Sequence, residues 1–206
     1  MNSGFEPVMK NIQNVDIMHW KMSRMYGKVI KQTGFMKHYY TLFSLVDGLE
    51  AQKTFEFGTG VSTDIILTAL ERTGGSHISC DVNPLSLTGV EKIGHKQWEF
   101  RQMNSLDAIK NDDGPFDFVL HDGSHDYDIV KKDINNIINK MKLNSILMIH
   151  DTENKQYIPS LKQAVVKNLN FKHEILTLPF GYGLTIVKIL EDFNNGSIKT
   201  TWSKGK

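Results

Sequence analysis

The chain has 206 residues, of which 40% are hydrophobic and 23% charged, and its formal net charge is +1. This composition predicts one soluble globular domain with a substantial buried core. The near-neutral charge gives no reason to expect nucleic acid or an acidic membrane as a partner, and a single cysteine, Cys80, excludes an internal disulfide framework. No apolar run is long enough to span a membrane, and no signal-peptide pattern follows Met1, so we expect a cytoplasmic protein.

Two helices are predicted before the first strand. Apolar residues recur at helical intervals over residues 15–30 and again over 36–46, on either side of a break at Thr33 and Gly34. The methionine-rich stripe of these segments has two interpretations: it packs in the core, or it caps the substrate site. The same methionine- and aromatic-rich helices could also supply the face of a homodimer.

From residue 53 onward the chain alternates between strand and helix patterns. Strands are predicted at 53–57, 77–81, 98–103, 116–122, 145–151, 171–178 and 184–190. Helices are predicted at 64–73, after Asn83 and Pro84, after Ser105, at 128–141 and at 159–169. We therefore predict a single α/β domain over residues 1–206, with an N-terminal helical cap (1–50), a Rossmann-like core (51–190) and a polar tail (191–206). The core is a mostly parallel seven-stranded sheet with an antiparallel C-terminal hairpin.

A glycine-containing turn follows the first strand. Gly58 and Gly60 allow the backbone to turn tightly and to approach a ligand, and Asp64 or the hydroxyls of Ser62 and Thr63 could cap the next helix. A dinucleotide-binding fingerprint requires a third glycine where this chain has Thr63, which argues against a pyrophosphate site. Asp81 ends the second strand, where an acidic side chain can accept hydrogen bonds from ribose hydroxyls. Together these features predict a nucleotide-like cofactor.

Two aspartates end the fourth and fifth predicted strands. Asp122 and Asp151 each close an apolar run, and the carboxyl ends of successive parallel strands open into one crevice. Two carboxylates that meet there repel each other unless a proton or a cation lies between them. The pair therefore suggests a divalent-cation site beside the cofactor; the alternatives are a hydrogen bond to cofactor or substrate for Asp122 and a helix cap for Asp151.

These segments together resemble the successive motifs of class I S-adenosylmethionine-dependent methyltransferases, over residues 50–190 of the chain. The motifs are EFGTG at 56–60, Cys80-Asp81, Asn104-Ser105, FDFV at 116–119 and the terminal hairpin. Residues 122–127 (DGSHDY), followed by His150-Asp151, resemble the small-molecule O-methyltransferase branch, which includes catechol-type, natural-product and sugar methyltransferases.

The resemblance implies an enzyme that uses S-adenosylmethionine to methylate a hydroxyl of a small molecule. It implies that the glycine turn packs against the methionine part of the cofactor, with Glu56 near that charged group. Asp81 would bind the ribose, and Asn104 or Ser105 would border the adenine. The residues implied in cofactor binding are Glu56, Gly58, Thr59, Gly60, Ser62, Asp81, Asn104, Ser105 and Asp122.

The resemblance also implies a metal site and a base. Catechol-type enzymes bind their metal through an aspartate ending strand four, an aspartate ending strand five and an asparagine just after it. The matching residues are Asp122, Asp151 and Thr152, which implies Mg²⁺ or another divalent cation. Threonine is a weaker ligand than asparagine, and Glu153 or a water could take its place. Those enzymes place a lysine base three residues after the first ligand, where this chain has His125.

We expect His125 to act with Asp122 as the catalytic pair, with His125 as the base; the alternatives are a metal or substrate contact and a purely structural loop residue. Two further histidines, His121 and His150, stand beside the aspartates. Because strand side chains alternate, each is expected to point away from the adjacent aspartate and to pack at the strand end.

Other interpretations are left open. The aromatic residues Tyr127, Phe180 and Tyr182 either line the acceptor pocket or pack structurally. A metal-independent methyltransferase acting on another acceptor is one alternative function. A Rossmann NAD-dependent oxidoreductase is opposed by Thr63 and by the terminal hairpin, and a non-catalytic cofactor-binding protein with the same fold is a further alternative.

Overall fold

The computed structural model describes residues 35–90, 93–110, 112, 114–154 and 161–193. The first predicted helix, over 15–30, and most of the predicted polar tail lie outside the described residues. Seven strands form one sheet: Lys53–Phe57 (β1), Ser76–Cys80 (β2), Trp98–Arg101 (β3), Phe116–His121 (β4), Met141–His150 (β5), His173–Leu178 (β6) and Leu184–Ile189 (β7).

The order across the sheet is β3-β2-β1-β4-β5-β7-β6. Strands β1 to β5 pair in parallel, whereas β7 runs antiparallel to both β5 and β6. This confirms the predicted mostly parallel sheet with its antiparallel hairpin. The chain moves outward from β1 to β2 and β3, then returns to place β4 on the other side of β1. Such a reversal of strand order opens a crevice at the carboxyl ends of the strands.

Helices cover both faces of the sheet. The described α-helices are Tyr39–Gly48 (α1), Val61–Leu70 (α2), Ser105–Lys110 (α3), Tyr127–Ile138 (α4) and Leu161–Lys167 (α5). Short 3-10 helices span Phe35–His38 and Pro84–Gly89. One apolar cluster lies between the sheet and α1 and α2, and a second lies between the sheet and α3, α4 and α5.

Alternation along the central strands decides which residue faces which layer. Phe118 and Leu120 of β4 pack in the cluster under α1 and α2, whereas Val119 packs toward α4 and α5. In β1, Phe55 and Phe57 pack toward α4 and α5, so Glu56 between them faces α2. A strand with apolar side chains on both faces is typical of a sheet that is covered on both sides.

Most predicted strands differ from the observed ones by one or two residues at an end, and the fifth begins four residues earlier, at Met141. The boundaries of two helices also differ. The first core helix begins at residue 61 rather than 64 and ends at Leu70, where Gly74, with φ of 72°, donates its amide to the Leu70 carbonyl. The helix predicted to run to Met141 ends at Ile138, because Met141 is fully buried in β5 and pairs with Phe116. Its apolar side chain fits both the helical period and the strand core.

No helix in the described part of the chain has the length and apolar character that crossing a bilayer requires.

Candidate active site

A cavity of about 470 Å³ opens where β1, β2 and β4 end. Its volume is in the range of cofactor and small-molecule sites. Five residues predicted to bind the cofactor line it: Gly58, Asp81, Asn104, Ser105 and Asp122. The reversal of strand order therefore gathers the ends of three strands around one ligand-sized space.

Gly58 brings the glycine turn against the end of β4. Its φ is 95°, and a Cβ at this position would lie 3.0 Å from the carbonyl oxygen of Asp122. The Asp122 amide donates to the Phe57 carbonyl at 2.9 Å, which closes the gap between the two strands. Gly60 differs, because its φ of 177° is extended and an added Cβ would meet no atom within 4 Å. The geometry requires glycine at position 58 but not at position 60.

Glu56 is fully buried and lies outside the cavity lining. Its carboxylate accepts hydrogen bonds from the hydroxyls of Ser62 and Thr63, the latter at 2.6 Å, and lies 3.2 Å from Nε2 of His77. The Thr63 hydroxyl in turn accepts the Gly60 amide hydrogen at 3.2 Å. Glu56 therefore anchors the first turn of α2. Threonine replaces the third glycine of a dinucleotide fingerprint here because its hydroxyl caps this helix.

Three other residues predicted to bind the cofactor also lie outside the lining. Thr59 donates its hydroxyl to Ser79 at 2.9 Å, and Gly60 and Ser62 take part in the Glu56 network. All three belong to the turn that supports the cavity. Their direct contact with a cofactor stays a prediction.

The two strand-end aspartates meet around a histidine. His150 Nδ1 lies 2.9 Å from Asp122 Oδ1 and 3.4 Å from Asp151 Oδ2. One candidate ligand atom from each of the three residues lies within 4.8 Å of the others. Asp122 also lines the cofactor-sized cavity, so this acidic cluster (Asp122, His150 and Asp151) borders that space.

The prediction that His150 points away from the adjacent Asp151 is wrong. His121 pairs with Ile149 in the β4–β5 register, so Asp122 and His150 follow side by side on the same face. Asp151 lies beyond the end of β5 with a left-handed φ of 63°, so strand alternation does not govern it and its carboxylate turns to His150. Extending the parallel register by one residue would have identified this pairing from the sequence.

The companion prediction for His121 is confirmed. His121 is fully buried on the opposite face of the sheet, where its Nε2 lies 3.2 Å from Asp133 Oδ2 of α4. Burial lowers the pKa of His121, although the hydrogen bond to Asp133 acts in the other direction. It is a packing residue of the layer beneath the acidic cluster.

The ionisation of the acidic cluster is strongly coupled. Burial would lower the pKa of His150, but its hydrogen bonds to Asp122 and Asp151 raise that pKa to about 9. Burial would raise the pKa of Asp151, but hydrogen bonds with His125 and His150 hold it well below its usual range. At neutral pH the imidazole is therefore cationic beside the ionised carboxylate of Asp151.

Of the two remaining predicted site residues, His125 contacts the acidic cluster and Thr152 does not. His125 joins the acidic cluster, since its Nε2 lies 2.7 Å from Asp151 Oδ2. Thr152 is buried, and its hydroxyl accepts a hydrogen bond from the Thr185 hydroxyl of β7 at 3.0 Å. The third ligand position implied for Thr152 is thus directed away, and His150 occupies the corresponding place beside the aspartates.

Two histidines hold the connection between β6 and β7. His150 Nε2 lies 2.9 Å from the Gly181 carbonyl, and His38 Nε2 lies 2.9 Å from the Phe180 carbonyl. A carbonyl only accepts, so each Nε2 carries a hydrogen. The Phe180 ring also stacks on His38 at 4.9 Å, whereas Tyr127 packs against the core.

We predict that Gly58→Ala destabilises the fold by about 1–2 kcal/mol, because alanine is disfavoured at positive φ and its Cβ would press on the Asp122 carbonyl. Gly60→Ala is the matched control from the same motif and should leave the free energy of unfolding nearly unchanged. Denaturant unfolding of the two variants measures the difference. Equal losses in both would contradict this account of the turn.

We predict that the contribution of His150 to stability depends on pH. Its folded pKa of about 9 exceeds the ordinary 6.5, so the stabilisation is complete below pH 6.5 and is lost as the pH rises toward 9. Denaturant unfolding of the wild type and of His150→Phe, in EDTA from pH 6 to 10, measures the difference in their free energies of unfolding. This difference should shrink by on the order of 2–3 kcal/mol across this range. A difference that stays constant would be incompatible with a protonated His150.

Comparison with known proteins agrees with this geometry. Residues 55–152 match the model of a family described as Methyltransferase domain. No curated protein matches the sequence. The matched segment runs from β1 to the residue after the acidic cluster, so it contains the glycine turn and both strand-end aspartates.

Solved structures share the fold at low identity. An S-adenosylhomocysteine-bound methyltransferase from Podospora anserina has a TM-score of 0.62 and 12% identity, and covers 93% of this chain and 99% of its own. A Staphylococcus aureus protein named as a caffeoyl-CoA O-methyltransferase has a TM-score of 0.66 and 11% identity, and the match covers 88% of this chain and 99% of that protein. An O-methyltransferase from Bacillus cereus bound to S-adenosylhomocysteine has a TM-score of 0.59 and 14% identity, and the match covers 82% of this chain and 89% of that enzyme.

The resemblance that the motifs predicted is therefore confirmed at the level of the domain and the fold: residues 55–152 match a methyltransferase domain, and the chain shares its fold with solved methyltransferases.

Proposed function

We propose that this enzyme transfers the methyl group of S-adenosylmethionine to a hydroxyl of a small molecule, with a divalent cation held by Asp122, His150 and Asp151. The observation that supports this most directly is the position of Asp122. Its side chain belongs to the acidic cluster and also lines the cofactor-sized cavity. A hydroxyl bound at the cluster would therefore lie next to the donor.

The donor atoms of the cluster fit a divalent cation. Octahedral ligands at about 2.1 Å from an ion lie roughly 3 Å from their neighbours, and His150 Nδ1 lies 2.9 Å and 3.4 Å from its two carboxylate partners. The Gly181 carbonyl accepts the His150 Nε2 hydrogen, which leaves Nδ1 to bind a cation once its proton is lost. Two carboxylates with one imidazole suit Mn²⁺, Fe²⁺ or Zn²⁺ better than Mg²⁺.

A cation bound there would lower the pKa of an acceptor hydroxyl and so ease its deprotonation. His125 supplies the base. Its Nε2 donates to Asp151, and this hydrogen bond orients the imidazole as a general base requires. His125 lies on the loop after β4, three residues from Asp122, so base and donor cavity share one short segment.

The transfer itself is an in-line displacement. The acceptor oxygen forms a bond to the methyl carbon while the carbon–sulfur bond breaks, and the sulfur keeps the electron pair. The products are a methyl ether and S-adenosylhomocysteine, and the acceptor proton resides on His125. Alignment of donor and acceptor gives most of the rate gain in such a reaction, and the close packing of Gly58 on Asp122 fixes the two sides of this alignment.

A metal-independent transfer is the second candidate. It is favoured by the pairing of both carboxylates with imidazoles, since His150 already contributes a positive charge between Asp122 and Asp151. Such an enzyme would use the two histidines alone to handle the acceptor proton. The two candidates differ in their response to chelation.

Cation binding is tested by calorimetric titration with MnCl₂ and with MgCl₂. We expect Mn²⁺ to bind more tightly than Mg²⁺, and Asp151→Asn and His150→Asn to weaken Mn²⁺ binding by roughly 10- to 100-fold. Thr152→Val is the matched control, because its hydroxyl bonds to Thr185 outside the cluster, and it should bind like the wild type. No saturable binding to the wild type would favour the metal-independent candidate, and an equal loss in Thr152→Val would show that the acidic cluster is not the cation site.

Activity is tested with a panel of catechols, simple phenols and hydroxylated sugars, with product mass as the readout. We expect a gain of one CH₂ unit in the presence of Mn²⁺ and loss of the product in EDTA. His125→Gln should lower kcat by about 10²- to 10³-fold while the affinity for S-adenosylmethionine is kept. His125→Lys should retain turnover with a pH optimum shifted upward, because lysine has the higher ordinary pKa. An undiminished kcat in His125→Gln would show that His125 is not the base.

A further inference from the structure

A buried asparagine lies in the turn that follows β5. Asn154 is only 4% exposed, although asparagine side chains are mostly found at protein surfaces. Its Nδ2 donates a hydrogen bond to Asp151 Oδ1 at 3.1 Å, and its backbone amide donates to the Asp151 carbonyl at 3.4 Å. An ionised carboxylate only accepts hydrogen bonds, so the end of the Asn154 amide that faces Asp151 is its NH₂ group. The proposed reaction assigns no role to Asn154.

The two carboxylate oxygens of Asp151 have different partners. Oδ1 accepts the hydrogen bond from Asn154, whereas Oδ2 lies 2.7 Å from His125 Nε2 and 3.4 Å from His150 Nδ1. Asp151 has a left-handed φ of 63° and lies beyond the end of β5, so strand geometry does not orient its side chain. Rotation of the carboxylate plane away from the histidines would break its bond to Asn154. Asn154 therefore helps to determine which oxygen faces the acidic cluster.

The turn that carries Asn154 is itself held at several points. The Glu153 amide donates to a carbonyl of the β6–β7 connection at 2.8 Å, and the Glu153 carboxylate accepts a hydrogen bond from Gln163 of α5. Gly183 packs so closely on this turn that a Cβ there would collide with the Glu153 amide nitrogen. Asn154 thus reaches Asp151 from a turn that α5 and the β6–β7 connection both hold in place.

We propose that Asn154 is the positioning residue of the acidic cluster: it holds Asp151 Oδ1 and leaves Oδ2 alone to bind the cation. This role rests on the cation of the proposed function. A carboxylate that binds through one oxygen suits a small octahedral cation such as Mn²⁺, whereas Ca²⁺ takes about six to eight oxygens and accepts both oxygens of a carboxylate. Asn154 thereby favours Mn²⁺ over Ca²⁺ at the cluster.

This selectivity is tested by calorimetric titration with MnCl₂ and with CaCl₂. In Asn154→Leu the affinity for Mn²⁺ should fall by roughly tenfold, the size of effect expected for the hydrogen-bond partner of a metal ligand. The affinity for Ca²⁺ should fall less, because the released carboxylate can turn both oxygens to the larger ion. Gln163→Met is the matched control: it removes a second side-chain amide that holds the turn, through Glu153, and should keep both affinities. Equal losses for the two cations in Asn154→Leu would overturn the proposal, since disturbed packing weakens both alike.

A crystal structure of Asn154→Leu grown in EDTA tests the position of Asp151 without a cation. The Asp151 carboxylate should turn, and its Oδ2 should move beyond hydrogen-bonding distance of His125. A carboxylate that keeps its wild-type orientation would show that Asn154 does not position it. Asn154→Ala provides both measurements if the leucine variant does not fold. If the wild type binds neither cation, the proposed cation site is wrong, and the metal-free structure still decides whether Asn154 positions Asp151.

Discussion

The closure between β1 and β4 is the constraint on which the site depends. Gly58 adopts a left-handed backbone so that the turn after β1 can lie on the Asp122 carbonyl, and the Asp122 amide bonds back to Phe57. This contact fixes the distance between the turn after β1 and the carboxylate of Asp122. The cavity and the acidic cluster are adjacent because they share this junction.

Charge in the site is arranged in two layers. The upper layer contains the acidic cluster, in which His150 lies between two carboxylates. The lower layer, on the opposite face of the sheet, contains the buried pair of His121 and Asp133, whose Nε2 and Oδ2 atoms lie 3.2 Å apart. Interactions between such groups are stronger in a buried environment than in water. Asp122 of the upper layer and Asp133 of the lower layer both line the cavity, so a ligand there would lie beside both layers.

Much of this arrangement could be predicted from the sequence. The run at 53–57 predicts β1 with its observed bounds, because apolar alternation there has one interpretation, and the aspartates at strand ends predict the cluster. His150 was missed because alternation was applied along each strand but not across the pair of strands. The left-handed backbone of Asp151 has no sequence signal, since aspartate adopts both conformations.

Other features depend on tertiary contacts. Glu56 sits in a motif that suggests a ligand contact, yet its partners Ser62, Thr63 and His77 come from α2 and β2, and only the folded sheet brings them together. Lys162 looks like an ordinary polar residue of a short helix. Its burial follows from the docking of α5 on α4, which no local pattern encodes.

His150 and His38 both donate hydrogen bonds to the connection between β6 and β7 and so tie it to the acidic cluster. His150 touches the acidic cluster through one ring nitrogen and the Gly181 carbonyl through the other, so any rotation of this ring is felt at both ends. One side chain therefore sets the distance between the acidic cluster and the segment that joins β6 to β7. The two cannot be positioned independently, and a change in the length of that connection would also move His150 relative to the aspartates.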